Sequence, residues 1–210
     1  LCLGVNDVIA HAIPKDYQLK DGDLLHIDSG IIINGMCGDA GMTIGIGTIS
    51  NQDERLLRYA KRALFEGIHQ VKPGVKVTEI GKAIERYARK MGFVVNKVFL
   101  GHGIGRTMHE GIQIPHYDLP KQETKITLPN GKFRYEYKEP DNIPVLVEGD
   151  VICIEPMLTY KDEFGFTDSD GWTRRTRDGK KSAFFEHMCK VTSLGAEIMT
   201  SHYRGIEEVV

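Results

Sequence analysis

Five residues of metal-ligating type in this 210-residue chain stand where such groups are out of place: Asp28, Asp39, His102, Glu155 and Glu186. Each falls at the end of an apolar, strand-like run or inside one. Carboxylates in such places are rare unless they are paired or hold a cation. Asp28 and Asp39 share the stretch LLHIDSGIIINGMCGDAGMTIGI, residues 24–46. Its centre, Asn34-Gly35, is the strongest short-range hairpin signal, because a type I′ turn needs positive φ at both central residues. Pairing across that turn sets Asp28 opposite Gly41 and Asp39 opposite Gly30. The two aspartates are then diagonal neighbours on one face, roughly 7–8 Å apart at the backbone. Glycines opposite them leave the space between the carboxylates unfilled. The pair repels unless something positive lies there. A cation is one reading, and a solvated outer sheet face is the other. Glu155 in LVEGDVICIEPML and Glu186 in AFFEHMCKVT raise the same question. Four carboxylates and an imidazole suit Mn²⁺, Fe²⁺, Co²⁺ or Zn²⁺. That is more carboxylate than one ion needs, and two bridged ions would balance it. His11 and His109 remain as proton donors or carbonyl contacts. A lone histidine before a proline turn, as at His11, is otherwise structural.

The elements that must position these groups are legible in outline. Residues 5–12 read as a strand ended by Ile13-Pro14. Ser50 to Val71 carries a helical stripe of Leu56, Leu57, Ala60, Leu64, Ile68 and Val71, capped by Ser50 and stopped by Pro73-Gly74. A second helix is expected over Thr78–Met91, with Gly92 past its end. FVVNKVFL (93–100) reads as a strand running into GHGIGRTMHE. The glycines of that motif lack the GxGxxG spacing and open no helix, which excludes a phosphate loop. Residues 118–147 are rich in Lys, Glu and Pro and read as a surface insertion, with a hairpin turn at Pro129-Asn130-Gly131. Residues 146–158 read as a strand after a Glu148-Gly149 turn, and 183–192 as another. A polar loop with a hairpin near Gly171-Trp172 lies between them, and a last turn and strand follow residue 193.

Composition excludes several classes. The chain is 41% hydrophobic and 27% charged, with a formal net charge of −2 and a pI near 6.5. That is ordinary for a globular domain and offers no basic surface for nucleic acid and no polybasic membrane patch. No apolar run approaches a transmembrane span, and no signal peptide is visible. Cys2, Cys37, Cys153 and Cys189 are scattered without a CxxC, so each reads as a small buried hydrophobe in a reducing compartment.

The stretches NDVIAHAIP, LKDGDLLHID, GDAGMT, VKPG, EIGKAI, GHGIGRTMHE, IPHYD, IEPM, DGWTRRTRDGKKSAFFEH and KVT run in order over almost the whole chain. In these the chain resembles the type I methionine aminopeptidases. The resemblance implies an α+β pita-bread (creatinase/aminopeptidase) fold, with pseudo-two-fold halves and a central antiparallel sheet covered by helices. It implies one catalytic domain over 1–210, with an N-terminal extension expected before it. It makes Asp28, Asp39 and Glu186 ligands of a first metal and Asp39, His102, Glu155 and Glu186 ligands of a second, with Asp39 and Glu186 bridging. The ions would be Co, Mn, Fe or Zn. His109 would contact the scissile carbonyl and His11 the scissile amide nitrogen, with Glu155 as general base. The implied reaction removes initiator Met from nascent proteins and peptides with a small second residue, by attack of a hydroxide held at the dinuclear site. The setting would be a cytoplasmic monomer that binds peptide or nascent-chain N-termini, with the ribosome as a further partner and neither nucleic acid by itself nor membrane.

Spacing selects the branch. His102 and His109 are seven positions apart, and Glu155 and Glu186 are 31 apart. This leaves no room for the helical insertion that type II enzymes carry between the two glutamates. The related X-Pro aminopeptidases and prolidases space the histidines more widely, and they remain the alternative together with an inactive binding module. Cys2, Met108 and Trp172 match positions of the methionine pocket. Met108 replaces the usual aromatic residue, and Ala10 and Ala12 flank His11 where Cys and Gly are usual.

Overall fold

The computed structural model describes residues 1–128 and 132–201. The chain opens with β1 (Cys2–Val5) and β2 (Val8–Ala10). The single strand expected over residues 5–12 is therefore two, broken by a turn at Asn6-Asp7. Asn6 takes φ +58, a conformation its short polar side chain tolerates. β3 (Leu24–Ile33) and β4 (Met36–Gly45) form the expected hairpin in the expected register, Asp28 opposite Gly41 and Gly30 opposite Asp39. Asn34 (φ +52) and Gly35 (φ +76) make its turn. With β1 it forms a sheet of order β1-β3-β4.

The helices follow the periodicity. α1 (Asn51–Ile68) begins where Ser50 Oγ accepts the Asp53 N–H at 3.1 Å. It buries Leu56, Ala60, Ala63, Leu64 and Ile68. α2 (Val77–Lys90) buries Ile80, Ala83, Ile84 and Ala88, and Gly92 at φ +88 lies past its end. Together they cover one side of a core that includes Leu24, Ile114, Ile152, Ile154 and Leu158.

The strand expected over 93–100 survives only as β5 (Val94–Val95). Asn96 bends the chain there, its side chain accepting the Val98 N–H at 3.0 Å. β6 (Gly101–Gly103) and β7 (Glu110–Ile114) follow. Next come β8 (Gln122–Thr127) and β9 (Phe133–Lys138), an exposed two-stranded hairpin within the expected insertion. The predicted turn at Pro129-Asn130-Gly131 lies outside the described residues.

Two further expectations need correction. The single strands over 146–158 and 183–192 are each broken at their glutamate. They become β10 (Val151–Ile154) and β11 (Met157–Thr159), then, after the β12 (Phe166–Thr167) and β13 (Arg174–Arg175) hairpin, β14 (Ala183–Phe184) and β15 (His187–Thr192). β16 (Gly195–Ile198) completes the described strands. β10 and β15 belong to a sheet of order β16-β15-β10-β6-β7, whereas β11 and β14 belong to β14-β11-β5. β2 joins a third small sheet, β12-β13-β2. Pro156 cannot donate to a ladder. Glu186 instead bridges to Gly41 of β4, its N–H donating to Gly41 O at 2.9 Å. The register is the same on both sides of the gap, Ile154 facing His187 and Met157 facing Phe184. Glu155 and Glu186 therefore stand opposite one another where the chain passes between sheets. Every strand pairing described is antiparallel. No described helix is long and apolar enough to cross a membrane.

Gly81 of α2 fixes how closely that helix approaches the segment after β7. A Cβ there would meet Tyr117 O at 2.5 Å and Pro115 O at 2.6 Å, backbone atoms that cannot swing away. Ala would improve helix propensity by about 1 kcal/mol, but overpacking costs typically about 1–3 kcal/mol and wins. Gly81→Ala is expected to lower the urea midpoint of unfolding. An unchanged or raised midpoint would mean that the 115–117 segment moves away freely.

Candidate metal centre

The structure brings the five predicted groups together. Gly41 carries the connection. It faces Asp28 across the hairpin and bridges Glu186, whose Oε2 would lie 3.2 Å from any Cβ at that position. The Phe184 ring lies closer still, at 2.3 Å, so only glycine lets the second half of the chain dock here. Asp39 and Glu186 come within 4.8 Å of His102, counting one ligand atom from each residue. His102 Nε2 is 3.9 Å from Asp39 Oδ2 and 3.5 Å from Glu155 Oε1. Its Nδ1 faces Gly103 O at 3.0 Å. With Nδ1 as donor, Nε2 keeps its lone pair toward the carboxylates, the arrangement a metal-ligating histidine needs.

The electrostatics describe carboxylates close enough to raise one another. Burial pushes Glu155 well above the usual carboxylate range, and the Asp39 and Asp28 anions add to it. Burial does the same to Glu186, reinforced by Glu155, Asp39 and Asp28. Asp28 is raised by burial and by Asp39, and Asp39 by burial. Burial also lowers His102, so its imidazole is neutral and free to ligate. Oxygen donors with one neutral imidazole fit a divalent first-row cation.

The remaining predicted residues line the cleft around this cluster. His11 takes φ +59, a backbone conformation uncommon outside glycine. Its ring centroid lies 4.7 Å from Phe99 and 5.1 Å from Trp172. Burial lowers its pKa, and Asp28 and His109 are close enough to contribute with opposite signs. His109 is exposed and meets His102 edge-on, centroids 4.3 Å apart. Cys2 pairs with Asp28 across β1 and β3. Met108 lies over Gly30, where a Cβ would come within 2.5 Å of its Cε. Trp172 is 56% exposed, which makes it a wall of the cleft and not core. Asp170 Oδ1 holds it by accepting its backbone N–H at 3.0 Å. An open cavity of about 380 Å³ extends past Phe99, His102, His109 and Gln113.

The profile of metallopeptidase family M24 matches residues 1–193. The chain belongs to that family. It is 36% identical over 200 residues to methionine aminopeptidase 1 of Bacillus subtilis (strain 168), covering 95% of this chain and 73% of that protein. The crystal structure of methionine aminopeptidase from Rickettsia prowazekii superposes with a TM-score of 0.81 at 34% identity, covering 95% of this chain and 73% of that one. Prolidase from Pyrococcus furiosus shares the fold at 21% identity and a TM-score of 0.71, covering 97% of this chain and 49% of that one. The M24 chain therefore has the pita-bread fold that its motifs led us to expect, and with it the metal dependence of a metallopeptidase.

Two residues of this M24 centre were not singled out from sequence. His116, in the IPHYD stretch, is buried, and burial drops its pKa to about 3. Its Nε2 accepts the Gly101 N–H at 3.1 Å and the Glu155 N–H at 3.2 Å. It thereby ties the Glu155 break to the strand that carries His102. Cys153, read as a buried hydrophobe, is indeed fully buried, yet its sulfur lies within the Asp39–His102–Glu186 cluster. A histidine inside a motif is a visible signal, but a lone cysteine in an apolar strand is not.

A cation should relieve the repulsion described above. In metal-stripped protein, Mn²⁺ at about 100 times its Kd should add about 2.7 kcal/mol to the unfolding free energy. Ligation needs ionised carboxylates and a neutral His102, so protons compete. The gain should shrink between pH 7.5 and 5.5, starting above the usual carboxylate range because Glu155 and Glu186 are held high. Calorimetry with and without Mn²⁺, on the parent and Asp39→Asn, checks this. An equal rise in both proteins would place the ion elsewhere.

Proposed function

We propose that this chain is a methionine aminopeptidase working with two divalent ions, which releases N-terminal Met from peptides and nascent proteins with a small second residue. The observation that carries the reading is the convergence of Asp39, Glu155 and Glu186 on His102, with Asp28 beside them opposite Gly41, in a chain so similar to named methionine aminopeptidases. Asp28, Asp39 and Glu186 would hold one ion, and Asp39, His102, Glu155 and Glu186 the other. Four carboxylate charges match two divalent ions, which supports the pair over a single ion.

Divalent ions at such a site polarise the scissile carbonyl and make water a nucleophile near neutral pH. The chain's own groups do the rest. A Glu155 carboxylate oxygen accepts the proton of the attacking water and passes it to the leaving nitrogen. His109, exposed at the cleft edge 4.3 Å from the His102 ring, donates to the carbonyl oxygen as it gains charge. His11 contacts the scissile amide nitrogen, its ring held between Phe99 and Trp172. Cys2, Met108 and Trp172 line the slot for the methionine side chain. In this reading the enzyme is a cytoplasmic monomer, and its substrates are met as chains leave the ribosome.

Met release from Met-Ala-Ser by metal-stripped protein, with Mn²⁺, Co²⁺ or Fe²⁺ restored, tests the reading. Release should require the ion and vanish in Asp39→Ala. Cleavage before proline without Met release would instead favour a prolidase-like enzyme. His109→Ala should lower kcat by about 10²–10⁴-fold and change Mn²⁺ affinity by no more than a few-fold. A variant with full kcat would remove His109 from the mechanism.

A further inference from the structure

The centre contains one potential ligand that is soft. Cys153 on β10 faces His102 on β6. Its sulfur, His102, and one oxygen each of Asp39 and Glu186 form a set whose atoms all lie within 4.8 Å of one another. Donors bound to one cation through bonds of about 2.3 Å lie at most about 4.6 Å apart, so this set is already close to a coordination shell. Cys153 also packs beside Cys37 and Ile104, so its sulfur stands where an apolar cluster meets the carboxylates. The set omits Asp28 and Glu155, and so differs from the oxygen-rich one.

We propose that Cys153 is a sulfur ligand that makes this centre select between hard and thiophilic ions. A hard ion such as Mn²⁺ takes the carboxylates and His102. A thiophilic ion such as Cd²⁺ or Zn²⁺ takes Asp39, His102, Cys153 and Glu186, because thiolate prefers soft cations. On binding, the Cys153 S–H bond breaks, a sulfur–metal bond forms and one proton leaves to solvent. The proposal rests on the metal centre described under the proposed function.

Cd²⁺ titration of metal-stripped protein, read by ultraviolet difference absorption, tests it. The parent should develop a sulfur-to-metal charge-transfer band that saturates with one ion per chain. Cys153→Ser should lack that band and bind Cd²⁺ at least about 10-fold more weakly, while its Mn²⁺ affinity stays within a few-fold of the parent. Retained Mn²⁺ binding shows that the variant's centre is intact. A band that persists in Cys153→Ser would assign it to another of the four cysteines and overturn the proposal. Mn²⁺ binding by the parent with Cd²⁺ giving no band would overturn the role of Cys153 alone. Failure of the parent to bind either ion would overturn the metal centre as well.

Discussion

Four carboxylates gathered at one cleft, Glu186 buried and the other three half-buried, repel one another, and much of the surrounding structure exists to keep them there. Asp39 and Glu186 bring oxygen atoms within 4.8 Å. At that separation two ionised carboxylates repel by about 3 kcal/mol even with an effective dielectric of 20. Several such contacts would be a large fraction of the total stability of an ordinary domain. A cation turns each of them from a cost into an attraction. The upward displacement of all four groups is the same fact seen from the proton's side: where no cation sits, protonation relieves the strain.

The fold meets this demand with backbone and not with loops. Each half supplies an antiparallel pair of strands, and each pair presents two acidic groups. In the first, the hairpin ladder is unbroken and glycines opposite the aspartates keep the space clear. In the second, the ladder opens where two sheets exchange strands, and the glutamates face each other in the opening. Gly41 joins the pairs, since it both faces Asp28 and bridges Glu186. The lone pair of His116 ties the Glu155 N–H to the Gly101 N–H, so the opening has a fixed width. The ligands thus stand on strands or in the breaks between them, against a core of buried Ile, Leu and Val. Precision of this kind is what a two-ion site needs.

Legibility in the sequence followed the range of the interaction responsible. The β3–β4 register could be read because the Asn34-Gly35 turn fixes it locally, and every facing pair then follows. The helices could be read from a stripe of Leu, Ile and Ala that local periodicity sets. The breaks at Glu155 and Glu186 could not, because VICIEPML and AFFEHMCKVT are each continuous as apolar patterns. Which sheet each end joins is decided by partners far away in the chain. Asn6 and Asn96 ended strands early for reasons that apolar patterning does not report: Asn6 takes a positive φ and its side chain bonds Asp23 and the Leu24 N–H, and the Asn96 side chain accepts the Val98 N–H. The ligands themselves were visible only as misplaced charges. Their grouping came from the order of the motifs, and the structure supplied the register that puts Glu155 opposite Glu186.

Cys153 shows where such reading stops. A buried cysteine in an apolar strand satisfies every rule for a small hydrophobe, and its environment does raise the thiol far above its ordinary pKa. Burial and charge together cause that rise, since Glu186, Asp39 and Glu155 all add to it. A cation at those anions would cancel the part of the rise that they cause. The same side chain is therefore a protonated thiol by itself and a candidate ligand beside a cation. What decides between the two is the softness of the ion, which no property of the thiol by itself can reveal.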